Sequence, residues 1–247
     1  MKYFALTDRG CKRTNNQDSY CIIHNTNDDI LMMVCDGVGG AKAGDVASNT
    51  LVKHMSERFS VNKGFKSEYE VNNYLKTELK EASDEVFTAA SINLDYKGMG
   101  TTATGILITN LGIFVFNVGD SRVYTISNSY KLSQITKDHN LVNKLIEEGT
   151  ITQEEAKAHP QASYLTNVCG MWTNVKADVS KLKEKAKYVL ICSDGLHGYV
   201  DDDKIIDIIK NSRSLQQKTK NLMKAALDAG GYDNITIILC KVDDYYG

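Results

Sequence analysis

What most constrains this chain is how its apolar residues are grouped. They come in strand-length runs that follow one another, in the first half, with no helical pattern separating members of a group. "YFALT" (3–7), "SYCII" (19–23) and "ILMMVC" (30–35) come first. "TATGILIT" (102–109), "GIFVFNV" (112–118) and "RVYTI" (122–126) form a second group, and "YVLIC" (188–192) and "ITIILC" (235–240) follow later. The runs are rich in β-branched and aromatic residues and are bounded by Gly, Asp and Asn, which predicts strands. "TNLG" (109–112) and "SNSY" (127–130) stand where hairpin turns belong. Helical periodicity appears in the blocks between: 45–59, with Val46, Leu51, Val52 and Met55 on one stripe, and 68–92, with Val71, Leu75, Leu79, Ala82, Val86 and Ala90. Shorter helical blocks follow at 139–148, 153–158, 202–210 and 214–229. Strands in consecutive groups with helices outside predict an α+β chain of antiparallel sheets rather than a parallel βαβ array.

With 247 residues, 42% of them apolar, the chain is long enough for a full core. A lone proline, Pro160, and the absence of any low-complexity linker predict a single domain over 1–247. The segment of about 137–174 reads as a small flap of two short helices and an irregular tail. Lys+Arg number 29 against Asp+Glu 31, with no basic block, which argues against nucleic acid or an anionic membrane as partner. "MKYFALTDRG" has neither the apolar core nor the cleavage site of a signal peptide, and no apolar run is long enough to span a bilayer. The six cysteines form no C-x-x-C pair, and Cys35, Cys192 and Cys240 lie in or at the end of apolar runs. Small buried hydrophobes in a reducing, cytoplasmic setting are expected rather than a disulfide frame or a zinc site.

An acid stands at one strand end after another. Asp36, Asp194 and Asp120 leave apolar runs, in "MMVCDG", "LICSDG" and "FNVGDS"; Asp18 and Asp233 begin them, in "NNQDSYCII" and "GGYDNITIIL". Asp-Gly alone is ordinary turn chemistry. In antiparallel sheets, however, the end of one strand lies beside the start of its neighbour, so five carboxylates can converge on one rim. Such a cluster repels itself and raises its own pKa values unless cations neutralise it. Oxygen-only ligands suit hard ions, Mg²⁺ or Mn²⁺, and the glycine after Asp36 leaves a backbone carbonyl open as a further ligand. Phosphate loops fail on spacing: "GVGGAKAG" meets neither G-x-G-x-x-G nor the Walker pattern, and no G-x-S-x-G elbow occurs. Arg13, five residues before Asp18, offers a guanidinium fork for a phosphate dianion, with a plain surface arginine as the alternative.

These residues resemble a known family. "TDRGCKRTNNQDS", "VCDGVGGAKAGDVAS", "GMGTTATG", "FNVGDSRVY", "LSQITKDHNLV", "EEGTITQEEAKAHP", "LICSDGL" and "GGYDNITIIL" occur in the order of the blocks of the metal-dependent serine/threonine protein phosphatases, PP2C or PPM, in their compact bacterial form. The resemblance runs from about residue 3 to 242. It implies a sandwich of two antiparallel sheets flanked by helices, with a binuclear Mn²⁺ or Mg²⁺ centre at one end. It implies Asp36 as bridging ligand, the Gly37 carbonyl on the first ion, Asp194 and Asp233 on the second, Asp18 supporting the centre, and Asp120 with Asp194 at a third-ion site. Arg13 is the implied phosphate-gripping residue. The implied chemistry is in-line attack on phosphorus by a metal-activated water, with no covalent phospho-enzyme. No cysteine here is followed six residues later by arginine, so a cysteine-nucleophile motif is absent.

The chain also departs from the family pattern. Val38 stands where His or Met is common, Ala41 where bacterial members usually have His, and Ala162 and Asn167 where the flap usually has arginines. His139, His159 and His197 are expected to cap or pack rather than shuttle protons. Thr101 and Thr102 are expected to serve a strand start near the rim. The expected function is hydrolysis of phosphoserine and phosphothreonine in proteins, opposite a cognate Ser/Thr kinase, by a monomer. The alternatives are a non-catalytic phosphoprotein-binding or sensor module of the same fold, a regulator phosphatase devoted to one target, and a metal-dependent nuclease or phosphodiesterase.

Overall fold

A computed structural model describes residues 1–38, 43–157 and 159–242. Position 41 and its neighbours 39, 40 and 42 lie outside these, so the departure at Ala41 has no structural account. In chain order the strands are β1 (Lys2–Asp8), β2 (Asp18–His24), β3 (Ile30–Val38), β4 (Gly100–Thr101), β5 (Ala103–Thr109), β6 (Gly112–Val118), β7 (Arg122–Ile126), β8 (Leu132–Gln134), β9 (Asp178–Lys181), β10 (Tyr188–Cys192) and β11 (Ile235–Lys241). The helices are α1 (Gly44–Ser60), α2 (Glu68–Ile92), α3 (Leu141–Glu147), α4 (Gln153–Lys157), α5 (Asp194–His197), α6 (Asp202–Asn211) and α7 (Leu215–Asp228).

The strands form two sheets, in the orders β1-β11-β10-β7-β8 and β2-β3-β5-β6-β9, with β4 paired to β3. Every pairing is antiparallel. The expected sandwich is therefore present, and the side-chain alternation of its strands explains why they read as continuous apolar runs. Successive residues of a strand point to opposite faces, and here both faces are covered. In β3, Leu31, Met33 and Cys35 pack beneath α1 and α2 with Leu51, Met55, Leu75 and Leu79. The intervening Ile30, Met32 and Val34 enter the core between the sheets, against Val123, Val189, Ile191 and Ile238. On the other side, Leu190, Cys192, Ile237 and Leu239 pack beneath α6 and α7.

Local chemistry sets the boundaries. Ser67 and Ser214 accept hydrogen bonds from Glu70 N and Gln217 N, capping α2 and α7. Thr109 pairs with Gly112 across the β5–β6 hairpin, and Gly112 adopts a φ of 139°. Cys35, Cys192 and Cys240 are buried and all six cysteines are free; Cys11 is exposed.

Besides the two-residue β4, three elements were not foreseen. Strands β8 and β9 are short, with partly polar sequences, "LSQ" and "DVSK", that carry no apolar run. Helix α5 is a single turn, too short to carry a period. The run expected at 102–109 starts at Ala103, because Thr102 steps out of the ladder: its N–H donates to Asp36 O and its hydroxyl accepts from Asp36 N. Between β8 and β9, helices α3 and α4 and an irregular stretch occupy the segment read as a flap. No described helix is long and apolar enough to cross a membrane.

Candidate metal centre

The two sheets end together, and the five strand-end aspartates lie there. Asp18 opens β2 directly across from Asp36 near the end of β3. Asp194 follows β10 as the first residue of α5, Asp233 precedes β11, and Asp120 sits between β6 and β7. Asp36 feels the charges of Asp18, Asp194, Asp120 and Asp233, and its carboxyl is within hydrogen-bonding reach of Asp194. The cluster expected from strand ends is a single electrostatic unit.

The two Asp-Gly pairs are not turns. Neither Gly37 nor Gly195 has a positive φ, but neighbouring backbone leaves no room for a side chain at either. A Cβ on Gly37 would lie 2.2 Å from Gly44 O and 2.6 Å from Gln17 O, and one on Gly195 would lie 1.9 Å from Asn234 O. The chain crossings that gather the carboxylates require the glycines beside them.

Burial dominates the electrostatics. It raises the Asp36 carboxyl well above the usual range, and repulsion from Asp18 and the other aspartates raises it further. Burial, then repulsion from Asp194, pushes Asp120 up to about 7. Burial likewise takes Asp18 to about 7, although Thr236 and Ser193 stabilise its charged form, and brings Asp194 to about 6, with help from Asp233. Asp18 Oδ2 accepts from Thr236 Oγ1 at 2.7 Å and from Ser193 Oγ at 2.8 Å. Asp18 Oδ1 and Asp194 Oδ1 are buried and accept nothing. An unpaired buried acceptor costs on the order of 1–3 kcal/mol, and a cation among these mutually repelling carboxylates would relieve both that cost and the repulsion. Oxygen donors alone, with no thiol or imidazole among them, fit a hard divalent ion.

Arg13 is half-exposed at the rim and donates through Nη2 to Asp233 Oδ2 at 2.6 Å. Partial burial acts against its charge, but Asp233, Asp194 and Asp36 outweigh it, and the guanidinium stays firmly protonated. Sequence reading gave the two residues separate tasks; the structure pairs them.

Supporting residues surround the cluster; Asn234 and Ser193 were not singled out in the sequence, whereas His197 and His139 were expected to cap or pack and do so. Asn234 accepts from Gln17 N at 2.8 Å and donates to Arg9 O and Asn15 O, pinning the loop that carries Arg13 to the start of β11. Ser193 bridges Asp18 and Thr236 N. His197 closes the single turn begun by Asp194 and donates through Nε2 to Asp120 O at 3.0 Å; burial lowers its pKa to about 3, so it is neutral and positions rather than shuttles. His139 accepts at Nδ1 from Gly119 N and from Asn167 Nδ2, and donates through Nε2 to Asp178, tying the flap to the loop before Asp120. Asn167, the departure at the end of the flap, makes that tie and also donates to Lys176 O. His159 and Ala162 share a local turn, and Val38 pairs with Gly100.

Among the described residues, the trio whose ligand atoms all lie within 4.8 Å of one another is a different one: His54, Glu78 and Glu81. Those residues join α1 to α2, and Glu78 is already engaged by Arg58 at 3.0 and 3.3 Å. His54 and Arg58 satisfy Glu78, and Glu81 faces water. Among the strand-end aspartates, Asp18 and Asp194 keep orphaned oxygens.

Comparison with known proteins decides the family. The sequence profile of protein phosphatase 2C matches residues 11–230. This chain is a member of the protein phosphatase 2C family. Within it, the chain is 34% identical to a serine/threonine phosphatase stp of Listeria welshimeri, over 95% of this chain and 93% of that one. It is 33% identical to the protein phosphatase PhpP of Streptococcus pneumoniae, over 99% and 98%. The crystal structure of serine/threonine phosphatase Stp1 from Staphylococcus aureus superposes with a TM-score of 0.90 at 36% identity, covering 97% of this chain and 94% of that one. The phosphatase 2C fold thus extends over nearly all of the chain.

Proposed function

We propose that this protein is a metal-dependent phosphatase acting on phosphoserine and phosphothreonine in proteins, as a single phosphatase domain with a flap at about 137–174. Asp36, Asp194, Asp233 and the Gly37 carbonyl would hold two divalent cations, Mn²⁺ or Mg²⁺, with Asp18 behind them and Asp120 beside Asp194 for a third. The observation that carries the reading is the buried, mutually repelling carboxylate cluster with two unsatisfied oxygens and an arginine at its mouth. When bound, the cations supply a nucleophilic water at neutral pH and neutralise charge on the phosphoryl oxygens.

The chain's own residues do the rest. Arg13, on a rim held by Asn234, offers a fork that grips and orients the phosphate ester. Leaving Asp233 for the substrate costs Arg13 little, because it is half-exposed there. Ser193 and Thr236 hold Asp18 in one orientation, and His197 holds the Asp120 backbone. Val38, where a histidine is common, is apolar and does not itself give a proton to the leaving alcohol. A cognate Ser/Thr kinase, a cytoplasmic setting and a monomeric state complete the proposal; the kinase is what the family resemblance implies.

The test is phosphate release from a phosphothreonine peptide with Mn²⁺, with Mg²⁺ and with chelator. Turnover is expected with either ion and absent with chelator, and Arg13→Ala is expected to raise KM more than it lowers kcat. A protein that binds Mn²⁺ but releases no phosphate from any phosphopeptide would be a binding module instead.

A further inference from the structure

Two tyrosines from distant parts of the chain meet beside the carboxylate rim. Tyr199 lies just beyond α5, and Tyr232 immediately precedes Asp233. Their ring centroids are 5.5 Å apart at an interplanar angle of 31°, yet Tyr199 is 42% exposed and Tyr232 51%. Aromatic rings contribute most when their large area is buried; this pair leaves roughly half of each side chain in solvent. Tyr199 is also within electrostatic range of Asp194, Asp233 and Arg13. Lys12 stands 6.0 Å above the Tyr232 ring, next in sequence to Arg13.

The pair is held in place from below. A Cβ on Gly230 would fall 2.3 Å from the Tyr232 ring, so the ring lies flat on bare backbone. The backbone before it is tied down as well, with Cys11 N and Lys12 N both donating to Gly231 O. Tyr199 follows the one-turn helix whose start is Asp194, and Leu196 of that turn is buried in the core. Rigid aromatic side chains lose little conformational entropy on contact and dominate recognition surfaces for that reason.

We propose that Tyr199 and Tyr232 form a platform that selects substrates, taking a large apolar side chain that flanks the phosphorylated residue of a target protein. The occupant follows from position and charge. Tyr232 is covalently next to Asp233, whose carboxylate touches Arg13, so a phosphate held by Arg13 brings the neighbouring one to three residues of an extended peptide over the rings. Lys12 and Arg13 border the platform and repel a basic flank, while the ring surface left exposed to solvent gives an apolar flank its contact. The proposal rests on the phosphatase reading above and gives it a sequence preference.

The test uses phosphothreonine peptides, otherwise of Gly and Ser, carrying one Phe at each of the three positions on either side. For the wild type, kcat/KM is expected to be about tenfold higher with Phe at one of these positions than with Gly there. That ratio, taken within one enzyme, is expected to fall towards one in Tyr199→Ser and in Tyr232→Ser and to survive in Tyr199→Phe and Tyr232→Phe. Because it compares two peptides on the same variant, a general change in activity cancels. A wild-type ratio near one at all six positions, or a ratio that both serine variants preserve, overturns the platform and leaves the phosphatase reading standing. Failure of the wild type to release phosphate from any of the peptides or from p-nitrophenyl phosphate overturns both.

Discussion

Asp18 and Asp120 are kept as acids that hold their protons more tightly than a free aspartate does, and the cause is burial rather than any one neighbour. Each is raised from an ordinary value near 4 to about 7. The folded, cation-free protein therefore binds protons that the unfolded chain releases. The stability these groups contribute is complete below about pH 4 and is lost as the pH rises through 7, at about 1.4 kcal/mol per pH unit for each proton retained. Thermal unfolding in chelator is expected to give a lower melting temperature at pH 8 than at pH 5.5. On the proposed site, added Mn²⁺ would compete with protons for these oxygens and is expected to raise that temperature more at pH 8. A melting temperature in chelator that climbs between pH 5.5 and 8 would contradict this. At this scale the sequence was informative about the charged residues and silent about most of their supports. Asp18, Asp36, Asp120, Asp194 and Asp233 stand out because an acid at the end of an apolar run is conspicuous. His197 was conspicuous only because it follows Asp194-Gly195-Leu196, and it packs as expected. Ser193, Thr236 and Asn234 do not stand out, since a hydroxyl or amide looks the same whether it meets water or a carboxylate 175 or 218 residues away in sequence. The contact between Tyr199 and Tyr232 is hidden for the same reason.

Among the elements, α5 carries the most structure per residue. Its single turn starts with Asp194, buries Leu196, and ends on His197, which reaches Asp120 O; Ser193, just before it, reaches Asp18. Its second residue, Gly195, lies against Asn234 O with no space for a methyl group. Gly195→Ala is expected to destabilise the protein by about 2–3 kcal/mol, the upper range for overpacking, and to weaken Mn²⁺ binding by moving Asp194. Urea unfolding and a Mn²⁺ titration check the two effects, and an alanine variant with wild-type midpoint and affinity would contradict the crossing described here. The long apolar strands were legible because both their faces are buried, so each reads as an unbroken run. Helix α5 was not, because one turn is shorter than the period that identifies a helix. Strands β8 and β9 were not, because partly exposed strands at the sheet edges, such as "LSQ" and "DVSK", need no apolar run.

Across the whole molecule, two sheets packed through one core bring strand ends from residues 18, 36, 120, 194 and 233 to the same rim, so the carboxylate cluster lies at the edge of the sandwich rather than inside it. Antiparallel order was legible from consecutive strand runs; the way the two sheets face each other was not, because it depends on which alternate residues turn inward. The central claim is that this rim, and not the His54–Glu78–Glu81 network between α1 and α2, holds the cations. Anomalous scattering from crystals grown with Mn²⁺ tests it most directly. The account predicts at least two peaks within coordination distance of Asp36, shared with the Gly37 carbonyl, Asp194 and Asp233, and their loss in Asp36→Asn. Peaks confined to His54, Glu78 and Glu81, with none at the rim, would contradict it.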